Sequence, residues 1–426
     1  MLGASALLRD TGLPRHRGQV SRPALSRRSL LRLGGAAAAS MALAGCGIPG
    51  LAKIVTTAQA EQEAAAYWPK QKPTRRLNFA NWADYIDPNH ESLKLFTRAT
   101  GIQVNYQEVI EDDNSYFAKI DPLIRAGQYS GADLMVITDG FEFNDLVELG
   151  EVVPLDHSRL PNFTKNVIPK FARETFDPGN IYSVPWASGM TGIAWNTKYV
   201  TEPITSIDVL WDPKYAGKIG MMADPQEIAN FGLFKIGVDP DDSTLSDWNK
   251  AASVLTRQRN AGIVRAYYDQ SYINALSQGD TWISMAWSGD IFQQNLSAGN
   301  NDLRFAVPRE GGTIWTDNMM IPKYAQNPVS AMTMMDWFYH PAIAAMLTEN
   351  IQYINACSTT QGLIEQDARL ARGANGQDQA TLRALVSSPL VFPPASVLGR
   401  VRNYVTPASP QTAQTFKNIF NAIVEG

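Results

Sequence analysis

The sequence predicts an α/β fold arranged as two lobes. Strand and helix patterns alternate from Leu77 onward, the alternation resumes in a second unit, and no long low-complexity linker separates the halves. At 426 residues the chain exceeds what one hydrophobic core usually serves. Two α/β units without a flexible joint imply that the chain passes between them more than once.

Leu77 to Ala80 reads as a short strand. Asp87-Pro88 then caps a helix carrying Leu93 and Phe96 and closed by Gly101. Ile102, Val104 and Tyr106 alternate with polar residues, as a strand does. Tyr116, Ile120, Leu123 and Ile124 return to helical spacing, and Leu134 to Ile137 is an apolar run of the buried parallel-strand kind. Ligands of such sheets gather at the carboxyl ends of the strands. Farther on, Ile193 to Trp195, Ile219 to Met222, Trp282 to Ala286 and Leu303 to Val307 read as strands. Helices are predicted over 226–237, 246–258, 271–278, 328–339, 341–350 and 411–424.

The first 45 residues carry seven arginines and one acid, Asp10. Arg27-Arg28 with Leu30-Leu31 precedes an uncharged run, Leu33 to Gly45, that is shorter than the ~20 residues needed to span a bilayer. This order of basic, apolar and small residues reads as an export signal of the twin-arginine type. Leu43-Ala44-Gly45-Cys46 resembles a lipoprotein lipobox, with Cys46 as the acylated mature N-terminus. Residues 46–75 read as a tether. Without the first 45 residues the chain holds 30 basic and 40 acidic residues, a net −10. Such a body repels nucleic acid and attracts cations. Four histidines, far apart, and two cysteines speak against a metal site or a disulfide framework, and no cofactor is expected. Nucleophile-elbow, Walker A, H-E-x-x-H and C-x-x-C motifs are absent, which argues against an enzyme.

What stands out are four aromatic–acid clusters at predicted strand ends: Trp82 to Tyr85, Asp224 to Glu227, Trp287 to Asp290, and Ile314 to Asp317. Each has a plain structural explanation. Asp224-Pro225-Gln226-Glu227 is a good helix cap, and a Trp at a strand end is often core. Together, in an acidic exported protein, they point to a cation site. An enclosed ammonium needs carboxylates within hydrogen-bond reach, and aromatic faces add roughly 0.5–2 kcal/mol each.

The segments Asn81 to Tyr85, Asp133 to Val136, Ile181 to Pro185, Trp211 to Tyr215, Asp224 to Glu227, Ser271 to Asn274, Ala286 to Asp290 and Pro308 to Gly312 resemble the spermidine/putrescine-binding proteins of bacterial ABC importers. The resemblance runs from about Leu77 to Tyr353 and weakens beyond. It implies a two-lobe, periplasmic-binding-protein-like α/β fold with two crossovers and an interlobe cleft. Lobe 1 would comprise 76–190 plus 316–361, and lobe 2 would comprise 191–315 plus 362–426. By match, Trp82, Tyr85, Trp287, Trp315 and Tyr353 would form an aromatic box, and Thr138 would contact the ligand. Asp317 and Glu227, with Asp224 nearby, would hold one ammonium. Asp290 would hold the second, which favours a diamine such as putrescine over spermidine. Ala83 replaces a usual hydroxyl, the family's next aromatic would fall near Phe141, and from Gln361 the match is too loose to carry ligand residues over. The implied partners are a small polyamine, an ABC permease with its ATPase, and the membrane through lipid on Cys46. The implied protein is a monomeric, non-catalytic receptor, exported and held at the outer face of the cytoplasmic membrane. Alternatives are a same-fold receptor for another organic cation or ferric iron (Tyr267-Tyr268 being the nearest oxygen pair), an exported hydrolase, or an adhesin.

Overall fold

Among the described residues, apolar runs and turn residues assemble ten strands: β1 (Arg76–Trp82), β2 (Gln103–Ile110), β3 (Leu134–Thr138), β4 (Ser183–Asn196), β5 (Ile219–Met222), β6 (Val264–Tyr268), β7 (Ile283–Trp287), β8 (Leu303–Ala306), β9 (Gly312–Met320) and β10 (Val401–Arg402). The structure is a computed structural model that describes residues 57–370, 378–407 and 409–425. The expected signal segment and Cys46 lie outside the described residues. No helix among the described residues is long and apolar enough to cross a membrane.

The strands form one sheet in the order β2-β1-β3-β9-β4-β7-β5-β6, with β10 beside β9 and β8 beside β4. β1 runs parallel to β2 and β3, and β5 runs parallel to β6 and β7. The centre is antiparallel. β4 pairs with β9 from Ser183↔Met320 to Thr191↔Thr313, and then with β7 from Thr191↔Trp287 to Trp195↔Ile283. β4 therefore hands the chain from one apolar cluster, built on Phe79, Val136, Trp186 and Phe338, to another, built on Ile193, Met221, Leu255 and Phe416. β8 and β9 return it, with Leu303 in the second cluster and Ile314 in the first. The outcome is the two-lobe α/β architecture, with two crossovers through β4 and β9 and a further passage after β10, from Tyr404 in the first cluster to Phe416 in the second.

Most expected helices form within one or two residues of their expected ends, as in Leu245–Asn260, Pro341–Ile351 and Pro410–Glu425. The first does not. It begins at Glu91, after His90 in left-handed backbone, and Asp87 caps it from a distance by accepting from the Glu91 and Ser92 amides. β6 and β9, and the helices Thr360–Leu370 and Gln379–Ser387, were not expected. β9 is buried at all nine positions, so it lacks the alternation that marks a half-exposed strand.

The tether reading of 46–75 is corrected over its second half. Thr57–Tyr67 is a helix followed by a 3-10 turn, Trp68–Lys70. Ala60 is buried, and Trp68, 2% exposed, donates its indole N–H to the Pro154 carbonyl at 2.8 Å. Small residues with little amphipathic contrast hid the helix, and the buried ring is what fixes it to the body.

Candidate functional site

Strand ends bring most of the expected residues together around β9. Thr138, the last residue of β3, faces Asp317 of β9 across the antiparallel ladder. Its hydroxyl donates to Asp317 Oδ1 at 2.7 Å, and Tyr85, from the loop after β1, donates to Oδ2 at 2.6 Å. Trp287 ends β7 and turns its indole N–H to Glu227 Oε1 at 3.1 Å. Asp290, in the first turn of the Ser288–Ala298 helix, accepts from the hydroxyls of Tyr353 and Tyr272.

The rings form a continuous row. Centroid distances are 6.0 Å for Tyr85–Tyr353, 5.5 Å for Tyr353–Trp315 and 6.2 Å for Trp315–Trp287. Two glycines admit this packing. A Cβ on Gly189 of β4 would lie 2.2 Å from the Trp315 ring, and one on Gly289 would lie 2.5 Å from the Tyr353 ring. Trp82 stands apart, its indole N–H bonded to the Val136 carbonyl at 3.2 Å. Ala83 is exposed. Phe141 turns to Phe416, 5.5 Å away, and Lys417 Nζ sits 4.5 Å over its ring, so it is no part of the row.

Asp224 and Glu227 separate in role. Asp224 caps the Pro225–Lys235 helix, accepting from the Gln226 and Glu227 amides at 2.6 and 3.3 Å, and it is exposed. Glu227 does not return a capping bond. Its Oε1 accepts from Thr191 (2.5 Å), Trp287 (3.1 Å) and Tyr404 (3.0 Å). Glu227 and Asp317 thus belong to separate hydrogen-bond groups. Tyr404 comes from the stretch beyond Gln361, where the resemblance is too loose to carry residues over. Thr191, Tyr272 and Tyr404 were missed because none belongs to an aromatic–acid motif. Asp113 was missed too. It begins a helix, Asp113–Arg125, and accepts from the Thr138 amide at 3.3 Å.

The three carboxylates Glu227, Asp290 and Asp317 are buried, at 1, 6 and 6% exposure. Burial pushes Glu227 up to about 7 and Asp317 up to about 6, against the opposing pull of their hydroxyl donors. Burial likewise raises Asp290, against its Tyr353 and Tyr272 bonds. Among the described residues no lysine or arginine forms an ion pair with any of the three. Charge withdrawn from water without an internal partner is costly unless a partner arrives from outside. Trp315 Nε1 and Glu227 Oε2 are buried without a hydrogen-bond partner. The arrangement is therefore a set of acceptors beside aromatic faces, suited to a cation that donates several N–H bonds. Among the described residues there is no group of three side chains able to hold a metal ion.

The profile of the family described as bacterial extracellular solute-binding protein matches residues 91–368. The spermidine/putrescine-binding periplasmic protein of Escherichia coli (strain K12) is 28% identical over 278 residues, 65% of this chain and 76% of that one. The putrescine-binding periplasmic protein PotF of the same strain is 26% identical over 344 residues, 77% of this chain and 85% of that one. The structure is similar to that of the spermidine/putrescine ABC transporter substrate-binding protein PotD from Streptococcus pneumoniae strain Canada MDR_19A, solved with calcium and HEPES. The TM-score is 0.68 and the identity 24%, over 82% of this chain and 98% of the other.

Proposed function

Since the chain belongs to the bacterial extracellular solute-binding protein family, we propose that it captures a polyamine outside the cytoplasm and delivers it to an ABC permease. One observation carries this reading: three buried carboxylates without an internal counter-charge lie along a row of four aromatic rings. The protein has already stripped these acids of water, so an arriving ammonium desolvates only itself. At an effective dielectric near 20, a pair 4 Å apart gains about 4 kcal/mol before that cost is subtracted. Relatives whose names carry spermidine and putrescine support the same ligand class.

The finer reading is a putrescine-like diamine with Asp290 answering its second ammonium; Asp317 beside Tyr85 and Glu227 beside Trp287 stand at opposite ends of the ring row, so they do not share the first as the resemblance implies. Rings between them pack along the methylene chain. The lobes, 76–190 plus 316–361 and 191–315 plus 362–426, close about Met190-Thr191 and Trp315-Thr316. There β4 passes from β9 to β7. Export as a monomer, with lipid on Cys46, places the receptor at the outer face of the membrane.

Titration calorimetry of the purified protein with putrescine, cadaverine, spermidine and spermine tests the reading. Heat with at least one, saturating at one ligand per chain, is expected. Silence with all four sinks it, and heat with another organic cation alone moves it to a different ligand of the same fold.

A further inference from the structure

The six oxygens of the three carboxylates are not equivalent. Both oxygens of Asp317 accept from hydroxyls, as do both of Asp290. In Glu227 all three donors converge on Oε1, while Oε2 is buried with no donor at all. A carboxylate oxygen left bare inside a protein forfeits its hydration, and native structures seldom tolerate this without a function.

One of the three donors comes from a distant part of the chain. β10 pairs in parallel with Gly312 and Thr313 of β9, which lays residues 401–404 along the crossover strand. The next residue, Asn403, is tied on several sides. Its amide lies 3.4 Å from Asp139 Oδ2 and 3.4 Å from the Ile314 carbonyl, and its own carbonyl accepts from Asn230 at 3.0 Å. Tyr404 is thereby delivered, 7% exposed, with its hydroxyl on Glu227.

Building on the receptor reading, we propose that Tyr404 is a positioning residue: it pins Glu227 by Oε1 so that Oε2 is presented to an ammonium of the ligand. The C-terminal strap is then part of the recognition apparatus. With Oε1 saturated, the carboxylate has one free acceptor and one orientation, and it need not reorganise when the ligand arrives. The titratable groups that face Glu227 are Asp224 on its own helix, Tyr272, and Tyr404 itself.

The test is titration calorimetry of the full chain with putrescine between pH 5.5 and 8.5, on wild type, Tyr404→Phe, Glu227→Gln and the double variant. Tyr404→Phe is expected to weaken binding about tenfold, the scale of one hydrogen bond to a charged group. It should also move the rise of affinity with pH to higher pH, because ionised Glu227 has lost a donor. Glu227→Gln should weaken binding further and remove that part of the pH dependence, and adding Tyr404→Phe to it should cost little. A purely structural tyrosine would alter the melting temperature and leave the pH profile in place. Wild-type affinity and pH profile in Tyr404→Phe, or full additivity in the double variant, would overturn the proposal. Should Tyr404→Phe not fold, Asn403→Ala must give the same shift by loosening the strap, and no shift there overturns it equally. A wild type that binds no amine removes the receptor reading as well, whereas binding with no Tyr404 effect removes this inference alone.

Discussion

The Tyr85 hydroxyl reaches Asp317 Oδ2 at 2.6 Å, joining the loop after β1 to the crossover strand β9. Thr138 holds the other oxygen, so the carboxylate is fixed before any ligand arrives. Asp317→Asn keeps the shape and removes the charge. Putrescine affinity should fall about 100-fold, since an enclosed ammonium loses its counter-charge. The ligand-free protein should melt at the same temperature or higher, because a buried uncompensated charge is gone. Melting curves with and without putrescine check both halves.

Affinity for an amine should rise with pH between about 5.5 and 8. Glu227 titrates near 7 and Asp317 near 6 in the empty protein, and only their ionised forms attract an ammonium. Binding near pH 6.5 should therefore release protons, read as a dependence of the calorimetric heat on buffer ionisation enthalpy. Stability of the empty protein should run the opposite way. Between the unfolded values near 4 and the native values of 6 to 7, the native state holds protons that the unfolded chain has lost, so stability falls as pH rises through that window. Equal melting temperatures at pH 5 and 8 would contradict this.

Gly189→Ala sets a methyl group against Trp315 in place of a hydrogen. Its φ needs no glycine, so the effect is one of packing. Overpacking of this kind costs roughly 1–3 kcal/mol. Displacement of the indole should also reduce putrescine affinity about tenfold or more, with a change in tryptophan fluorescence of the empty protein.

Asp290→Asn should discriminate between ligands. If Asp290 answers the second ammonium of a diamine, the substitution weakens putrescine about tenfold more than spermidine. Equal losses for both amines, measured in parallel titrations, would remove the diamine preference.

Trp68→Ala should lower stability by about 3–5 kcal/mol, the usual cost of emptying a large buried aromatic site, and leave amine affinity unchanged. Urea unfolding followed by circular dichroism gives the first quantity and calorimetry gives the second.

Much of this arrangement was legible in the residues. The pair Trp287 with Asp290, at the end of β7, carries both the turn chemistry and the acid–aromatic contrast, whereas Trp315 and Asp317, expected at a strand end, lie inside β9. What sequence could not resolve was the division of labour in Asp224 to Glu227, because a capping box and a ligand pair use the same residue types. The fold decides it by setting Thr191, Trp287 and Tyr404 around Glu227 alone. Tyr404 was illegible for a different reason: its partner lies 177 positions earlier, and no local pattern reports a pairing across the sheet. β9 escaped because full burial erases period-two alternation.

The buried indole of Trp68 also fixes where the described N-terminal helix, Thr57–Tyr67, joins the body: its bond to the Pro154 carbonyl sets that helix against the cluster that holds Phe79 and Trp186. A truncation that removes Trp68 therefore does more than shorten the chain, because it opens a hole in that cluster.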